Sequence, residues 1–193
     1  MSASGTNLEI EVKIRWTGDA AGARIAIETA GCILIGERTL ESDTVFDRDT
    51  GELRRADQLL RLRRAGDQAL VTYKGPSRGG RYKVREEIEF NVSDARTFAE
   101  VLDRLGYQPR FRYEKYRTKF AAPGEPGIVS IDETPIGVFL ELEGDPEWID
   151  RTAGRMGLSH DAYLTRSYAS LYQEYLRTHS AASHDMTFGG SSA

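Results

Sequence analysis

Apolar and charged side chains alternate along the run LEIEVKIRW, which begins at residue 8. A period of two is typical of a β-strand that has one apolar face and one polar face. The apolar face carries Leu8, Ile10, Val12 and Ile14, and the charged face carries Glu9, Glu11, Lys13 and Arg15. We therefore predict a first strand over about residues 7–15.

The same alternation, with its interruptions, predicts a mainly β chain of the α+β class. Further strands are predicted at about 33–48 (one or two strands), 59–64, 69–74, 82–92, 111–120, 127–133 and 137–143. Helices are predicted at about 19–30, at 94–105 with Ser93 as N-cap, from Asp145-Pro146-Glu147 onward, and at 161–177. Asp49-Thr50-Gly51 is a turn signal, and residues 75–80 form a glycine-rich loop. Residues 1–177 are predicted to form a single domain, and residues 178–193, rich in Ser, Ala, Gly and His, a disordered tail.

Charged side chains recur at alternate positions in most of these strands. The set is Glu9, Glu11, Lys13, Arg61, Arg63, Lys74, Lys83, Arg85, Glu87, Glu89, Lys115, Arg117, Asp132, Glu141 and Glu143. An ordinary sandwich or barrel keeps its inner face apolar. One alternative is an open sheet whose wet face carries salt bridges between strands, and for any single strand that alternative is favoured. Repetition on about six strands instead favours a closed barrel with a charged lumen and helices packed outside.

Such a lumen suits a polyanion bound together with a metal. Buried charges of both signs are stable only if they pair or bind something. Lysine and arginine supply charge-assisted donors for phosphate oxygens. Carboxylates hold Mg²⁺ or Mn²⁺, which often bridge to substrate phosphates. The pattern therefore indicates a metal–polyphosphate site.

Composition narrows the range of partners and compartments. The net charge is −4, which is not typical of a nucleic-acid-binding protein. Cys32 is the only cysteine, which excludes an intramolecular disulfide and a cysteine-based zinc site. The segment MSASGTN has no apolar core of a signal peptide, and no apolar run approaches the roughly 20 residues that span a membrane. We expect a cytoplasmic protein with neither nucleic acid nor membrane as a partner.

Several motifs together resemble one known family. Glu9-x-Glu11-x-Lys13 is similar to the ExExK signature of the CYTH superfamily, the triphosphate tunnel metalloenzymes. The motifs that follow in the family's order are Leu60-Arg61-Leu62-Arg63, Tyr73-Lys74-Gly75-Pro76, Arg85-Glu86-Glu87-Ile88-Glu89, Ile131-Asp132 and Glu141-Leu142-Glu143. The resemblance spans roughly residues 7–175 and implies an antiparallel eight-stranded tunnel that acts on triphosphates with a divalent cation.

The resemblance also implies a role for each matching residue. The implied metal ligands for Mg²⁺ or Mn²⁺ are Glu9, Glu11 and Glu143. Glu141, Asp132, Glu87 and Glu89 are implied either to bind the metal directly or to support the groups that do. The implied triphosphate ligands are Lys13, Arg61, Arg63, Lys74, Arg85, Lys115 and Arg117, and the implied catalytic residues are Glu9, Glu11, Lys13, Arg63 and Lys74. Which of Arg81 and Lys83 enters the lumen is left open. Tyr168 either closes one end of the tunnel or packs within the last helix.

One stretch resembles a particular branch of the superfamily. Leu105-Gly106-Tyr107-Gln108-Pro109 with Phe111, followed by Glu114-Lys115-Tyr116-Arg117, is similar to a segment of class IV adenylate cyclases. Arg166-Ser167-Tyr168 also resembles their ending. The implied reaction converts ATP to cyclic AMP and pyrophosphate. Hydrolysis of inorganic triphosphate or thiamine triphosphate is the alternative, and a polyphosphate-binding module without turnover is a third possibility that the full carboxylate set argues against. The partner is then a nucleoside triphosphate or another inorganic or organic triphosphate, and a homodimer is left open.

Overall fold

The computed structural model describes residues 8–179 and 183–189, and β-strands dominate it. The strands are β1 (Leu8–Trp16), β2 (Ile33–Asp47), β3 (Leu59–Ala65), β4 (Gln68–Lys74), β5 (Lys83–Val92), β6 (Gln108–Ala121), β7 (Ile128–Thr134), β8 (Gly137–Glu143) and β9 (Tyr163–Leu164). The helices are α1 (Ala20–Thr29), α2 (Glu52–Arg55), α3 (Ala95–Arg104), α4 (Pro146–Arg155) and α5 (Tyr168–Thr178). No helix in these two ranges is long and apolar enough to cross a membrane.

Eight of the strands close into an antiparallel barrel. Neighbouring strands follow the order β5-β4-β3-β2-β6-β7-β8-β1, and β1 pairs with β5 to complete the ring. The closing register pairs Leu8 with Glu86 and Glu11 with Lys83. The two-residue strand β9 continues along the same edge of β1, opposite Lys13 and Ile14. The predicted closed barrel with helices outside is thus confirmed.

The largest hydrophobic core lies outside the barrel, between its wall and helices α1 and α4. Val12 of β1 and Leu140 and Leu142 of β8 project outward into this core. Ile27 of α1 and Trp148 of α4 pack against them. Fully burying a side chain of this size stabilises the fold by about 1.5–3 kcal/mol. Apolar packing on the outer face therefore leaves the inner face free to carry charge.

Two smaller clusters complete the cover of the wall. Helix α3 packs over β2, β3 and β4 through Phe46, Leu62, Val71 and Leu102. Helix α5 contributes to a cluster that contains Tyr113, Ile136, Phe139, Tyr168, Leu171, Tyr172 and Met186. The second cluster is the one that reaches the lumen, because it includes two tyrosines on the inner face.

Several boundaries differ from the sequence predictions. Residues 33–47 form one strand with register shifts, which is one of the two predicted alternatives, whereas the short helix α2 after the Asp49-Thr50-Gly51 turn was not predicted. Asp94, not Ser93, caps α3, because its carboxylate accepts hydrogen bonds from the backbone N–H groups of Arg96 and Thr97. Helix α5 begins at Tyr168 and not near residue 161, since residues 163–164 are held in extended pairing with β1.

The C-terminal tail also differs from the prediction over part of its length. Residues 183–189 lie against β6, and Met186 within them is fully buried. Apolar Met186 and Phe188 are the residues that the Ser- and Gly-rich composition obscured. Residues 180–182 and 190–193 lie outside the described ranges.

Candidate functional site

The lumen holds a cavity of about 630 Å³ that is walled by all eight barrel strands and the start of α5. It brings together most of the charged residues predicted from the alternation. These are Glu9, Glu11, Lys13, Arg61, Arg63, Lys74, Lys83, Arg85, Glu87, Glu89, Lys115, Arg117, Glu141 and Glu143. The strands can supply these residues together because side chains two apart point to the same face of a strand.

Carboxylates gather where β1 meets β5 and β8. Glu11 lies directly opposite Glu143 across the β1–β8 pair, and like charges in such a pair repel. Lys83 and Lys13 offset this repulsion, because their ammonium groups lie 2.9 and 3.1 Å from a carboxylate oxygen of Glu11. Lys74 contacts Glu9 in the same region. The carboxylates are therefore held in place by lysines of the same lumen.

The acidic groups differ in how readily they ionise. Burial and the nearby Glu11 carboxylate raise the pKa of Glu9 to about 8. Partial desolvation by the lumen wall also raises the pKa of Glu143, although its side chain remains exposed to solvent. Burial would raise the pKa of Glu11 as well, but Lys13 and Lys83 outweigh it and hold that pKa well below its usual range. A bound cation near Glu9 and Glu143 would add to the positive charge of Lys74 and so favour the ionised forms of both carboxylates.

Asp132 organises the cationic wall from behind. It is fully buried and does not line the cavity. Lys115 Nζ donates to its Oδ2 at 2.9 Å, and Arg117 donates to both oxygens at 2.6 Å. The Tyr168 hydroxyl donates to Oδ2 at 2.6 Å. The structure thus places this predicted metal ligand elsewhere, with its oxygens occupied by three side chains that it positions.

Glu141 joins the two halves of the lumen. One of its oxygens lies 3.1 Å from Lys13 Nζ, and the other contacts Arg117. Burial opposes its ionisation, but Arg117 and Lys13 hold the pKa of Glu141 well below its ordinary value. Glu141 is therefore an anion at neutral pH, placed between cations of β1 and β6.

Two acidic partners on β2 were not predicted. Arg63 donates to both oxygens of Asp43, at 2.9 and 3.1 Å, and lies 3.0 Å from Glu41. Asp43 is completely buried, and Arg61 lies 3.5 Å from it. The alternation was hard to read here because the opposite face of β2 carries Ser and Thr and its first half contains register shifts. The spacing of Glu41 and Asp43 was the signal that could have found them.

Arg85 lines the cavity but directs its guanidinium at the backbone. Its Nε donates to the Gly75 carbonyl at 2.8 Å, and its Nη2 donates to the Asp57 carbonyl at 2.7 Å. These bonds attach the glycine-rich loop to the turn before β3. Arg85, a predicted phosphate ligand, therefore also links two loops through hydrogen bonds.

The structure shows where Arg81, Lys83 and Tyr168 lie, which the sequence left open. Lys83 lines the cavity, whereas Arg81 lies near Asp150 of α4, with 3.7 Å between the charged atoms. Tyr168 fits both of its alternatives, because it lines the cavity and is buried in the α5 cluster. Cavity residues that sequence reasoning missed include Glu37, Glu41, Tyr113 and Lys119.

The carboxylates where β1 meets β5 and β8 offer oxygen donors of the kind that a divalent cation takes. Within residues 8–179 and 183–189, no three carboxylate, histidine or cysteine side chains lie close enough to enclose a metal ion. Mg²⁺, however, is usually bound by one or two carboxylates together with water and substrate phosphates. Glu9 and Glu143, with raised pKa values, and Glu11, opposite Glu143, offer oxygens of this kind. The residues fit a hard cation that arrives with its phosphate ligand.

Comparisons with known proteins agree on the fold. A Methanocaldococcus jannaschii protein named putative adenylate cyclase MJ0240 is 29% identical over 175 residues, which cover 85% of this chain and 98% of that protein. A putative adenylate cyclase structure from Vibrio parahaemolyticus has a TM-score of 0.75 at 21% identity, covering 88% of this chain and 99% of that one. The putative adenylyl cyclase HpAC1 from Hippeastrum has a TM-score of 0.64 at 16% identity, covering 86% and 96%.

The family itself follows from a match along most of the sequence. The family model of the CYTH domain matches residues 7–168, which include every strand of the barrel and the start of α5. The chain therefore belongs to the CYTH domain family.

Proposed function

We propose that this protein is a divalent-metal-dependent enzyme that acts on triphosphates inside the barrel. The observation that carries the proposal is that one cavity brings carboxylates and cations together. Glu9, Glu11 and Glu143 of β1 and β8 line the same cavity as Lys115 and Arg117 of β6. A triphosphate chain bound with Mg²⁺ or Mn²⁺ needs both kinds of group within a few ångströms of each other.

The cations of the lumen would bind the phosphate oxygens. Lys13, Lys74, Lys115 and Arg117 already form ion pairs with carboxylates of the chain, Lys74 with Glu87. A bound triphosphate would take over part of this pairing, so binding exchanges one set of charge-assisted hydrogen bonds for another. Asp132 would keep Lys115 and Arg117 in position during the exchange, because it approaches them from behind the wall.

The metal would be held by Glu9, Glu11 and Glu143. When bound, it would supply Lewis-acid stabilisation of charge on the phosphate oxygens. The residues of the chain align the substrate: the cations neutralise the developing charge and hold the phosphate chain in one direction along the lumen.

Conversion of ATP to cyclic AMP and pyrophosphate is our first candidate reaction. The Leu105–Arg117 segment supports it, as does the likeness to a relative named a putative adenylate cyclase over 98% of that protein's length. The reaction requires the ribose 3′-hydroxyl to lie about 3–3.5 Å from the α-phosphorus, opposite the departing pyrophosphate. The nucleoside must therefore be held as firmly as the phosphates.

Hydrolysis of inorganic triphosphate or thiamine triphosphate is the second candidate, and one feature of the lumen favours it. Tyr113 and Tyr168 are the aromatic side chains on the described part of the cavity wall. They are buried, their ring centroids are 5.9 Å apart, and their hydroxyls bond to Arg61 and Asp132. Neither is arranged as a free platform for a nucleobase. HpAC1, which shares the fold, is described as having a dominant triphosphatase activity, so the fold alone does not separate the two reactions.

Product analysis distinguishes the candidates. The protein would be incubated with ATP, tripolyphosphate or thiamine triphosphate, with Mg²⁺ or Mn²⁺ or with a chelator. Cyclic AMP and pyrophosphate from ATP would support the cyclase, and orthophosphate from tripolyphosphate without cyclic AMP would support the hydrolase. Absence of turnover with every substrate and both metals would contradict an enzymatic role. Tight tripolyphosphate binding without turnover would instead favour a binding module.

The double variant Glu9→Gln with Glu11→Gln tests the metal assignment. The double change removes two anionic oxygens but keeps the size of the side chains, so we expect loss of turnover in a folded protein. The control is Glu28→Gln on the exposed face of α1, where the side chain pairs only with Arg24 among the described residues. Equal turnover of the double variant and the control would refute the metal assignment.

A further inference from the structure

The barrel wall has a segment where β7 does not reach. Strand β7 pairs with β6 only from Tyr116 to Ala121, so the first half of β6 lacks this neighbour. Residues 183–189, here called the C-terminal strap, lie along that half. The Met186 N–H donates to the Arg112 carbonyl at 2.9 Å, and the Glu114 N–H donates to the Met186 carbonyl at 2.8 Å. The strap thus adds a short parallel β-bridge where the wall would otherwise end.

Further hydrogen bonds anchor the strap on both sides of Met186. The Tyr172 hydroxyl of α5 donates to the Ser183 carbonyl at 2.6 Å and lies 3.1 Å from the Asp185 carbonyl. The Arg112 N–H donates to the Asp185 carboxylate at 2.8 Å. The Phe188 N–H donates to the Glu114 carboxylate at 3.1 Å. The strap is therefore tied to β6 and to α5 together.

Met186 faces inward beside the tyrosines of the lumen. Residues paired across a sheet place their side chains on the same face, and Met186 pairs with Tyr113, which lines the cavity. The Met186 side chain is fully buried in one cluster with Tyr113, Phe139 and Tyr168. It therefore packs in the same buried cluster as the two rings that form this part of the cavity wall.

The two tyrosines in turn hold the cations of the lumen. The Tyr113 hydroxyl accepts a hydrogen bond from Arg61 at 3.4 Å. The Tyr168 hydroxyl donates to Asp132, and the centroid of its ring lies 5.3 Å from Lys13 Nζ and from Lys115 Nζ. A shift of either ring would move the groups that would contact a triphosphate.

We propose that Met186 is a positioning residue for triphosphate binding, which acts through Tyr113 and Tyr168 and makes the C-terminal strap part of the site. The inference rests on the proposed function, since it needs a lumen that binds triphosphate. A polarisable, unbranched thioether suits the role because it fills an irregular space between aromatic rings. Residues 183–189 would thereby influence the affinity of the lumen for triphosphate.

The test compares four full-length proteins: wild type, Met186→Ala, Met186→Leu and Phe188→Ala. Tripolyphosphate affinity is measured by titration calorimetry with Mg²⁺ present, well below each melting temperature. We expect Met186→Ala to bind about tenfold more weakly, a loss of about 1.4 kcal/mol. Met186→Leu should bind within about threefold of wild type, because a volume-conserving change keeps the rings supported. Phe188→Ala is the control, since Phe188 belongs to the same strap but is half exposed and packs on Tyr116, with 5.1 Å between the two ring centroids.

The outcomes separate this inference from the proposed function. Wild-type protein that does not bind tripolyphosphate would refute the function itself. Wild-type binding with equal affinity in Met186→Ala, even if its melting temperature falls, would overturn the positioning role of Met186. Equal weakening by Met186→Ala and Phe188→Ala would also overturn it, because it would indicate general loosening of the strap. If Met186→Ala does not fold, Met186→Val replaces it, and an unchanged affinity in that variant has the same meaning.

Discussion

Glu9 retains its proton at neutral pH in the metal-free lumen, because burial and the nearby Glu11 carboxylate raise its pKa to about 8. The folded chain then binds this proton more tightly than the unfolded chain does. Stability from this group is complete below the ordinary pKa of about 4.5 and is lost as pH rises toward the folded value. The free energy of unfolding should therefore fall over that interval, by at most about 1.4 kcal/mol per pH unit for one proton.

Glu9→Gln should remove this contribution, since the amide does not ionise. In chelator, we expect the variant to lose less stability than wild type between pH 5.5 and pH 8, and to be the more stable protein at the upper end. Urea denaturation across this range measures the difference. Glu28→Gln is the control because Glu28 is exposed on α1 and should leave the slope unchanged. A wild-type slope in Glu9→Gln would contradict the proposed protonation of Glu9.

Arg63 also stabilises the fold, apart from any contact with phosphate. It forms a two-bond pair with Asp43, which is completely buried. Removing Arg63 leaves the buried Asp43 charge with only the weaker contact to Arg61, 3.5 Å away, so Arg63→Ala should reduce the free energy of unfolding by up to about 3–5 kcal/mol. Chemical denaturation checks this value. The double variant Arg63→Ala with Asp43→Asn should recover part of the loss, and no recovery would mean that the Asp43 charge is not the cause.

Two glycines test how the outer layer packs: Gly127, which precedes β7 and lies against Trp148 of α4, and Gly154, which lies within α4. A Cβ at Gly127 would lie 2.3 Å from the Trp148 indole, whereas a Cβ at Gly154 would meet no atom within 4 Å. Gly127→Ala should therefore destabilise the fold by about 1–3 kcal/mol through overpacking. Gly154→Ala, inside α4, should stabilise it by about 0.5–1 kcal/mol, because alanine favours the helix. Thermal denaturation of both variants measures these changes in stability. Equal changes in Gly127→Ala and Gly154→Ala would contradict this packing.

Inward residues were predictable from the sequence in strands whose outer face is apolar, but not in β2. In β1 and β8, outward Val12, Ile14, Leu140 and Leu142 pack in the core, so alternation marks the inner face clearly. In β2, the outward positions Ser42 and Thr44 line a second cavity under the strap and stay polar. Without an apolar residue at these two positions, a period of two leaves little contrast, and Glu41 and Asp43 were missed.

The C-terminal elements depended on contacts far away in the sequence. Tyr163 and Leu164 are extended because they pair with β1, about 150 residues earlier. The strap is ordered because Met186 enters a cluster with residues of β6, β8 and α5. Local composition carries no record of either contact, so helix α5 was predicted to start too early and residues 183–189 were predicted to be disordered.

At the scale of the whole molecule, the members of the lumen were predictable but their partners were not. Each strand shows which residues point inward, whereas the stagger between strands decides which of them meet. That stagger places Glu11 opposite Glu143 and Lys83, and it brings Asp132 behind Lys115. The sequence therefore supplied the charges of the site, and closure of the barrel supplied the geometry.

Ligand binding should stabilise the whole barrel, because the lumen is formed by every strand of the ring. At a free concentration of 100 times the dissociation constant, tripolyphosphate with Mg²⁺ should add about 2.7 kcal/mol. For a chain of this length, we expect the melting temperature to rise by about 5–10 °C. Orthophosphate at the same concentration is the control and should give a smaller shift. Equal shifts with both anions would contradict a site built for a phosphate chain.

The most direct test of the account is a crystal structure of the protein with tripolyphosphate and Mn²⁺, recorded with the anomalous signal of manganese. The account predicts manganese inside the barrel, bound to oxygens of Glu9, Glu11 or Glu143 and to the phosphate chain. It also predicts phosphate oxygens within hydrogen-bond distance of Lys13, Lys115 and Arg117. Tripolyphosphate bound only on the outer surface, or in the lumen without manganese near these carboxylates, would contradict it.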